Sequence, residues 1–422
     1  MHVDSIDTSV YTHIHFAFAN VTADYQIDVS GAQDEFDRFK DMRGVKKIIS
    51  LGGWAFSTEP GTFRILREAT KAENRNRFIR NLLTFVAAND LDGIDLDWEH
   101  PGAPDIPSAP PSGDPNEGKD YYEILKGLKS NIGSSKTVSF AAPASYWYLK
   151  ALPVELMGAA LDYIVYMTYD LHGQWDYGNK WTSPGCENGN CLRSHVNLTE
   201  TINALSMITK AGVASNKVVV GVTSYGRSFK MAQPGCTGPE CLFTGSSGQS
   251  NAAMGECTDT AGYISDAEIE EIISGGNVQQ YTEEDSNILV YGGGTEWVAY
   301  IDNATKSGRE QLYAKYNFAG TTDWAVDLQA YTDDEALEED DPSYGTEWDE
   351  MIELRSKTAC TSQYRSLDQL EKDAEKISQD CFDKYLVDIE AAILGDSLDS
   401  YDKLIKGDYD KKFTVYERSV KE

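Results

Sequence analysis

The chain has 422 residues, 41% of them hydrophobic, and a formal net charge of −31, which is enough apolar material for one large core with attachments. So acidic a balance excludes a binder of nucleic-acid backbones, whose affinity rests on clustered Lys and Arg, and it disfavours anionic membrane surfaces. No apolar run approaches the roughly 20 residues of a membrane span, so a soluble chain without a membrane partner is expected.

The first predicted strand covers 11–19, and a helix at 34–42 follows it. The next strand, 45–54, ends in the pair Gly52 and Gly53, which lets backbone and ligand approach closely, and then presents Trp54. Phe78, Leu82, Phe85 and Val86 recur at helical spacing and mark a helix at 73–89. It leads into a strand at 91–100. A Pro-rich loop, 101–115, a helix at 120–131 and strands at 137–145 and 163–170 come next. A helix at 198–210, a strand at 218–225, a helix at 305–318 and a last strand at 320–327, containing Trp324, complete the alternation. Strands alternating with helices over this length predict a parallel α/β fold, and the size selects a (β/α)8 TIM barrel.

The strands number seven, so the first of the eight is expected to be missing. The chain also opens Met-His-Val-Asp-Ser-Ile-Asp-Thr, with no charged and then apolar leader. Both point to an incomplete start. An open barrel leaves two unpaired edges, which a segment beyond 346 could fill instead. A long Gly-rich interruption separates Gly226 from the helix at 305. Beyond 346 the sequence turns charged and helix-prone, as at 367–384 and 386–394, which divides the chain into a barrel unit at 1–345 and a helical acidic extension at 346–422.

Seven cysteines form local clusters: Cys186 with Cys191, then Cys236, Cys241 and Cys257, then Cys360 with Cys381. With no His placed to complete a zinc site and no C-x-x-C pair, disulfides are expected, with one thiol of the middle cluster left over. Sequons at Asn20, Asn197 and Asn303 agree with an oxidising secretory route.

The strand at 91–100 reads Leu-Asp-Gly-Ile-Asp-Leu-Asp-Trp-Glu-His. Its two-residue period sends Ile94, Leu96 and Trp98 to one face and Asp95, Asp97 and Glu99 to the other, with successive acids about 6.6 Å apart. Like charges that close cannot all ionise freely, so one acid stays protonated near neutral pH while a neighbour is ionised, as glycoside hydrolysis requires. A solvated edge is the ordinary explanation of an isolated Asp-x-Asp. Here the fully apolar opposite face argues for acids turned inward. A magnesium or calcium site is the sharper rival, although nothing nearby resembles a calcium loop or phosphate cradle.

Asp92, Asp95, Asp97 and Glu99 match the pattern D-x-x-D-x-D-x-E position for position, and the stretch resembles the active-site signature of glycoside hydrolase family 18, the chitinases. Nearly the whole chain resembles the fungal members related to the large subunit of yeast killer toxins. The resemblance implies chitin or chito-oligosaccharides as partner, a secreted monomer, no cofactor, and an α+β insertion at about 228–303 forming one cleft wall. It also implies substrate-assisted retaining catalysis, in which the substrate's acetamido oxygen is the nucleophile. Glu99 would then be the general acid and base, Asp97 would bind the acetamido nitrogen, and Asp95 would share a proton with Asp97. Tyr169 would hold the acetamido oxygen, Asp170 and Tyr225 would orient the sugar, Trp324 would form its floor and Trp54 would stack a further ring.

The general rule for barrels, that sites assemble at the C-terminal ends of strands, selects Gly53, Trp54, Asp97, Glu99, Met167, Tyr169, Asp170, Tyr225, Arg227 and Trp324. A catalytically weak chitin-binding lectin, an endoglycosidase acting on N-glycans and a toxin-delivery subunit are the alternatives. Glu99, which lectins of this kind usually lose, favours an enzyme.

Overall fold

The computed structural model describes residues 2–106 and 114–331. All seven expected parallel strands form: β1 (His13–Val21), β2 (Lys46–Gly52), β3 (Gly93–Asp97), β4 (Thr137–Pro143), β5 (Ile164–Met167), β6 (Val218–Thr223) and β7 (Gly320–Trp324). Each pairs in parallel with the next in chain order. An unforeseen two-residue strand, Ile27–Asp28, runs antiparallel on the outer edge of β1. The two ends of the sheet curl toward each other: the rings of Phe18 on β1 and Trp324 on β7 lie 5.4 Å apart, and the Gln329 side chain donates to the Tyr11 hydroxyl at 3.2 Å. Among the described residues no strand pairs with both β1 and β7, and side chains meet across that seam.

The core follows from the apolar periodicities. Helix Ala72–Ala88 buries Phe78, Ile79, Leu82 and Val86, and all five residues of β3 are buried. Ile94, Leu96 and Trp98, at most 2% exposed, join the main hydrophobic cluster on the helix side of the sheet, each contributing about 1.5–3 kcal/mol relative to exposure. That burial fixes the strand's register, since a one-residue slip would exchange this face with the acids.

Two boundaries differ from expectation in ways that matter for the site. The fifth strand stops at Met167, and three residues on Asp170 adopts a left-handed backbone with φ of 55°. The sixth stops at Thr223, where Ser224 turns the chain while its N–H donates to the Trp324 carbonyl at 3.0 Å. Tyr225 therefore does not end a barrel strand. It opens Tyr225–Lys230, the second strand of a five-stranded antiparallel sheet whose order is Tyr263–Ser265, Tyr225–Lys230, Glu296–Tyr300, Ser286–Tyr291, Gln279–Glu283. A helix, Asp266–Ser274, packs on this sheet behind a Ser265/Glu268 capping box.

Disulfides join Cys186 to Cys191 and Cys236 to Cys241, and Cys257 is free and exposed. Of the three sequon asparagines, Asn197 is 6% exposed and caps helix Leu198–Lys210, its side-chain oxygen accepting from the Glu200 N–H at 3.1 Å. Asn20 and Asn303 are exposed. The Cys360 with Cys381 pairing and the helical extension lie outside the described residues.

Candidate active site

Asp95 and Asp97, 4% and 6% exposed, project from β3 to the inside of the sheet, and Glu99 follows two residues beyond its end. Their surroundings differ. Asp95 accepts hydrogen bonds from Ser139 on β4 at 2.6 Å and Ser50 on β2 at 3.1 Å, and the His15 ring on β1 lies 3.7 Å away. Burial works against its charge, but His15 and the two hydroxyls outweigh it and hold the carboxyl below its ordinary pKa. Asp97 has no such donors, and its Oδ1 is buried without a hydrogen-bond partner among the described residues. Burial first, then the Glu99 and Asp95 charges, push it well above the carboxylate range. Glu99 is pushed up to about 8, by burial and then by the charge of Asp170.

The row thus separates into an ionised Asp95, a protonated Asp97 and a Glu99 that keeps its proton through neutral pH. Its position is fixed by its backbone N–H, which donates to the Ser57 hydroxyl at 3.0 Å. Beside it His100 is buried and stacks on Tyr148 at 4.3 Å. Burial drops the His100 pKa to about 3, so the ring is neutral. Asp92, the first acid of the motif, is remote in role. It lies before β3 and accepts from the Lys47 N–H at 2.9 Å and the Lys46 ammonium at 3.1 Å, joining strands at the opposite end.

Across the cleft from the acid row, Asp170 takes the opposite electrostatic course. Arg227 grips it with two hydrogen bonds, Nε to Oδ1 at 2.8 Å and Nη2 to Oδ2 at 2.6 Å, and the Tyr225 hydroxyl donates at 2.6 Å. Burial would raise its pKa, but the guanidinium and the hydrogen bonds hold it far below the usual carboxylate range. The insertion sheet supplies Tyr225 and Arg227, so half of this cluster stands on the barrel and half on the insertion.

The remaining expected residues fall as follows. Tyr169 sits at the end of β5 with its ring packed on Gly221, where an added Cβ would come within 2.6 Å of it. Met167 and Trp324 end β5 and β7, both half-buried. Trp54 is 53% exposed on the helix Gly53–Thr58. A Cβ at Gly53, at φ of 81°, would sit 2.6 Å from the Phe18 ring, and one at Gly52 would lie 1.8 Å from the Asp97 carbonyl. The glycine pair lets β2 approach β1 and β3. His15, Ser50 and Ser139 were not foreseen, and neither was His195, whose ring lies 3.4 Å from the Asp170 carboxylate. Ser50 and Ser139 each stand alone between apolar neighbours in their strands, and nothing local in the sequence ties any of the four to the acid it serves.

The sequence profile of glycosyl hydrolases family 18 matches residues 2–329. The chain is 50% identical to a secreted chitinase, LysM12, of Penicillium expansum over 338 residues, 78% of this chain and 22% of that protein. It is 39% identical to the killer toxin subunits alpha/beta of Kluyveromyces lactis over 349 residues, 81% of this chain and 29% of that protein. The chain therefore spans about a quarter of the length of these relatives. Its fold matches the second catalytic domain of the Group II chitinase of Ostrinia furnacalis, solved as a mutant in complex with penta-N-acetylchitooctaose, with a TM-score of 0.66 at 22% identity, covering 78% of this chain and 85% of that one.

Proposed function

The chain belongs to glycosyl hydrolases family 18, and we propose that it cleaves β-1,4 bonds between N-acetylglucosamine units of chitin by substrate-assisted retaining catalysis. One observation carries this reading: a buried row in which Ser139 and Ser50 bind Asp95, Asp97 keeps an unpartnered oxygen, and burial with the Asp170 charge pushes Glu99 up to about 8. Glu99 donates its proton to the glycosidic oxygen while the substrate's acetamido oxygen attacks the anomeric carbon. The proton of Asp97 is directed to Asp95, which leaves the unpartnered Oδ1 of Asp97 to accept from the acetamido N–H and to stabilise the positive oxazolinium ring. The Glu99 carboxylate then takes a proton from water, which opens the ring and restores the acid.

Tyr169 holds the acetamido oxygen, Asp170 with Tyr225 and Arg227 orients the sugar, Trp324 forms its floor, and Trp54 offers an exposed face to a further ring. Met167 and Gly53 complete the strand ends around it. We assign residues 1–345 to the catalytic unit, with its insertion at about 228–303, and 346–422 to an appended extension. Secretion fits the two disulfides and the printed name of the Penicillium relative. Among the described residues no helix is long and apolar enough to cross a membrane.

The test is hydrolysis of N-acetylated and fully deacetylated glucosamine hexamers, with the anomer of the first product read by NMR. The acetylated chain should be cut with retention and the deacetylated one spared. Equal cutting of both would overturn the substrate-assisted step, and tight binding without cutting would favour the lectin reading.

A further inference from the structure

The helix before the last barrel strand carries a buried cation that the chemistry above does not use. Lys306, on helix Asn303–Lys315, is 7% exposed. Its ammonium donates to the Ser224 hydroxyl at 2.8 Å, to Asp323 Oδ2 at 3.0 Å and to Asp266 Oδ2 at 3.3 Å. The Ser224 hydroxyl in turn donates to Asp323 Oδ1 at 2.7 Å, and the Gln329 side chain donates to Asp323 Oδ2 at 3.0 Å. Lys306, Ser224 and Gln329 thus hold one carboxylate from three sides. An ammonium is costly to bury unless its acceptors are close, and the two nearest acceptors here both border the cleft.

Asp323 directly precedes Trp324 on β7. The two-residue period turns its carboxylate outward to the helix and the Trp324 indole inward, where the indole meets the Phe18 ring. Ser224 directly precedes Tyr225, the first residue of the insertion strand, whose hydroxyl donates to Asp170 at 2.6 Å. The Ser224 N–H also donates to the Trp324 carbonyl at 3.0 Å. The ammonium therefore stands one residue behind both aromatic side chains, at the point where the chain leaves the barrel for the insertion. We propose that Lys306 is a positioning residue: acting through Asp323 and Ser224, it sets the Trp324 indole and the Tyr225 phenol in register with each other across the site. The proposal rests on the carbohydrate reading for what those two rings do, while the hold on them does not.

A purely structural joint would lower stability without regard to the rings. Positioning moves the alignment of the reacting sugar, so Lys306→Met should lower kcat on an N-acetylglucosamine hexamer about tenfold with KM held within about threefold. Ser224→Ala removes only the bridging hydroxyl; it should act in the same direction more weakly, and it carries the test if Lys306→Met fails to fold. Asp266→Asn should leave kcat unchanged, because Lys306 keeps its two nearer partners. Leu128→Ala, in the core on helix Glu117–Asn131, serves as the stability control. A kcat loss in the Lys306 and Ser224 variants no larger than that control gives, compared at temperatures equally far below each melting point, would overturn the proposal. So would the same kcat loss in Asp266→Asn. Fluorine NMR of the fluorotryptophan-labelled chain reads the hold without substrate. The Trp324 signal, assigned by its loss in Trp324→Phe, should shift in Lys306→Met and Ser224→Ala and stay in place in Asp266→Asn; an unmoved signal in the first two would refute the hold. If the wild-type chain cuts no hexamer at all, the functional reading fails, and this spectrum still decides whether Lys306 holds the indole.

Discussion

Glu99 and Asp170 are two carboxyls at one cleft that end in opposite protonation states. Glu99 receives no cation, so burial and the neighbouring Asp170 charge lift it to about 8. Asp170 meets a bidentate guanidinium and a phenol, and burial is outweighed. The difference teaches that burial sets the stakes and the partner sets the sign. It also couples the two groups, because the charge that Arg227 keeps on Asp170 is one of the reasons that Glu99 keeps its proton.

The largest effect comes from removing the proton donor. Glu99→Gln should lower hydrolysis of N-acetylglucosamine oligomers by about 10²- to 10⁴-fold while leaving oligomer affinity, measured by calorimetry, nearly intact. Near-normal turnover would remove Glu99 from the acid role and dissolve the contrast with Asp170.

A smaller and more specific effect tests the coupling. Since activity needs protonated Glu99, kcat/KM should be full at low pH and fall as pH rises through about 8. Asp170→Asn deletes the like charge, so the Glu99 pKa should drop and the alkaline limb should move to lower pH, whatever happens to the maximal rate. An unmoved limb would show that burial alone lifts Glu99. Arg227→Met leaves Asp170 without its cation and should destabilise the fold by about 2 kcal/mol, below the 3–5 typical of a fully buried pair because a third of the Asp170 side chain remains accessible.

The sequence carried the acid row and the strands because both obey short periods. Alternation placed Ile94 and Leu96 opposite Asp95 and Asp97, and the apolar face buried as that pattern requires. It could not carry Ser50, Ser139 and His15, which decide the charge of Asp95, since they come from three other strands and share no local spacing with it. Tyr225 was read as a barrel residue because the β-rich run passes through Ser224 without a break, and only the contacts of Ser224 with β7 reveal that the chain leaves one sheet for another there. A glycine's neighbour is invisible in sequence, so the Phe18 ring packed beside Gly53 could not be read from it.

The smallest effect concerns a third buried acid, which stands between the two extremes and joins the barrel to its insertion. Asp266 opens the insertion helix, and the Lys306 ammonium reaches it at 3.3 Å while binding Asp323 more closely at 3.0 Å and the Ser224 hydroxyl at 2.8 Å. The lysine is thus shared, and Asp266 Oδ1 is buried without a partner among the described residues. Burial raises its pKa to about 7, with Lys306 only partly opposing. A carboxyl whose pKa is higher in the folded chain than in the unfolded one contributes its full stability at acid pH and loses it as pH rises from about 4 through about 7. Asp266→Asn removes that titration and keeps an oxygen for the lysine. It should leave the melting temperature unchanged at about pH 4 and below and raise it by roughly 2 °C at pH 8, corresponding to about 1 kcal/mol. A loss of stability at pH 8 would mean that the shared lysine compensates Asp266 fully, which would place it with Asp170 rather than with Glu99.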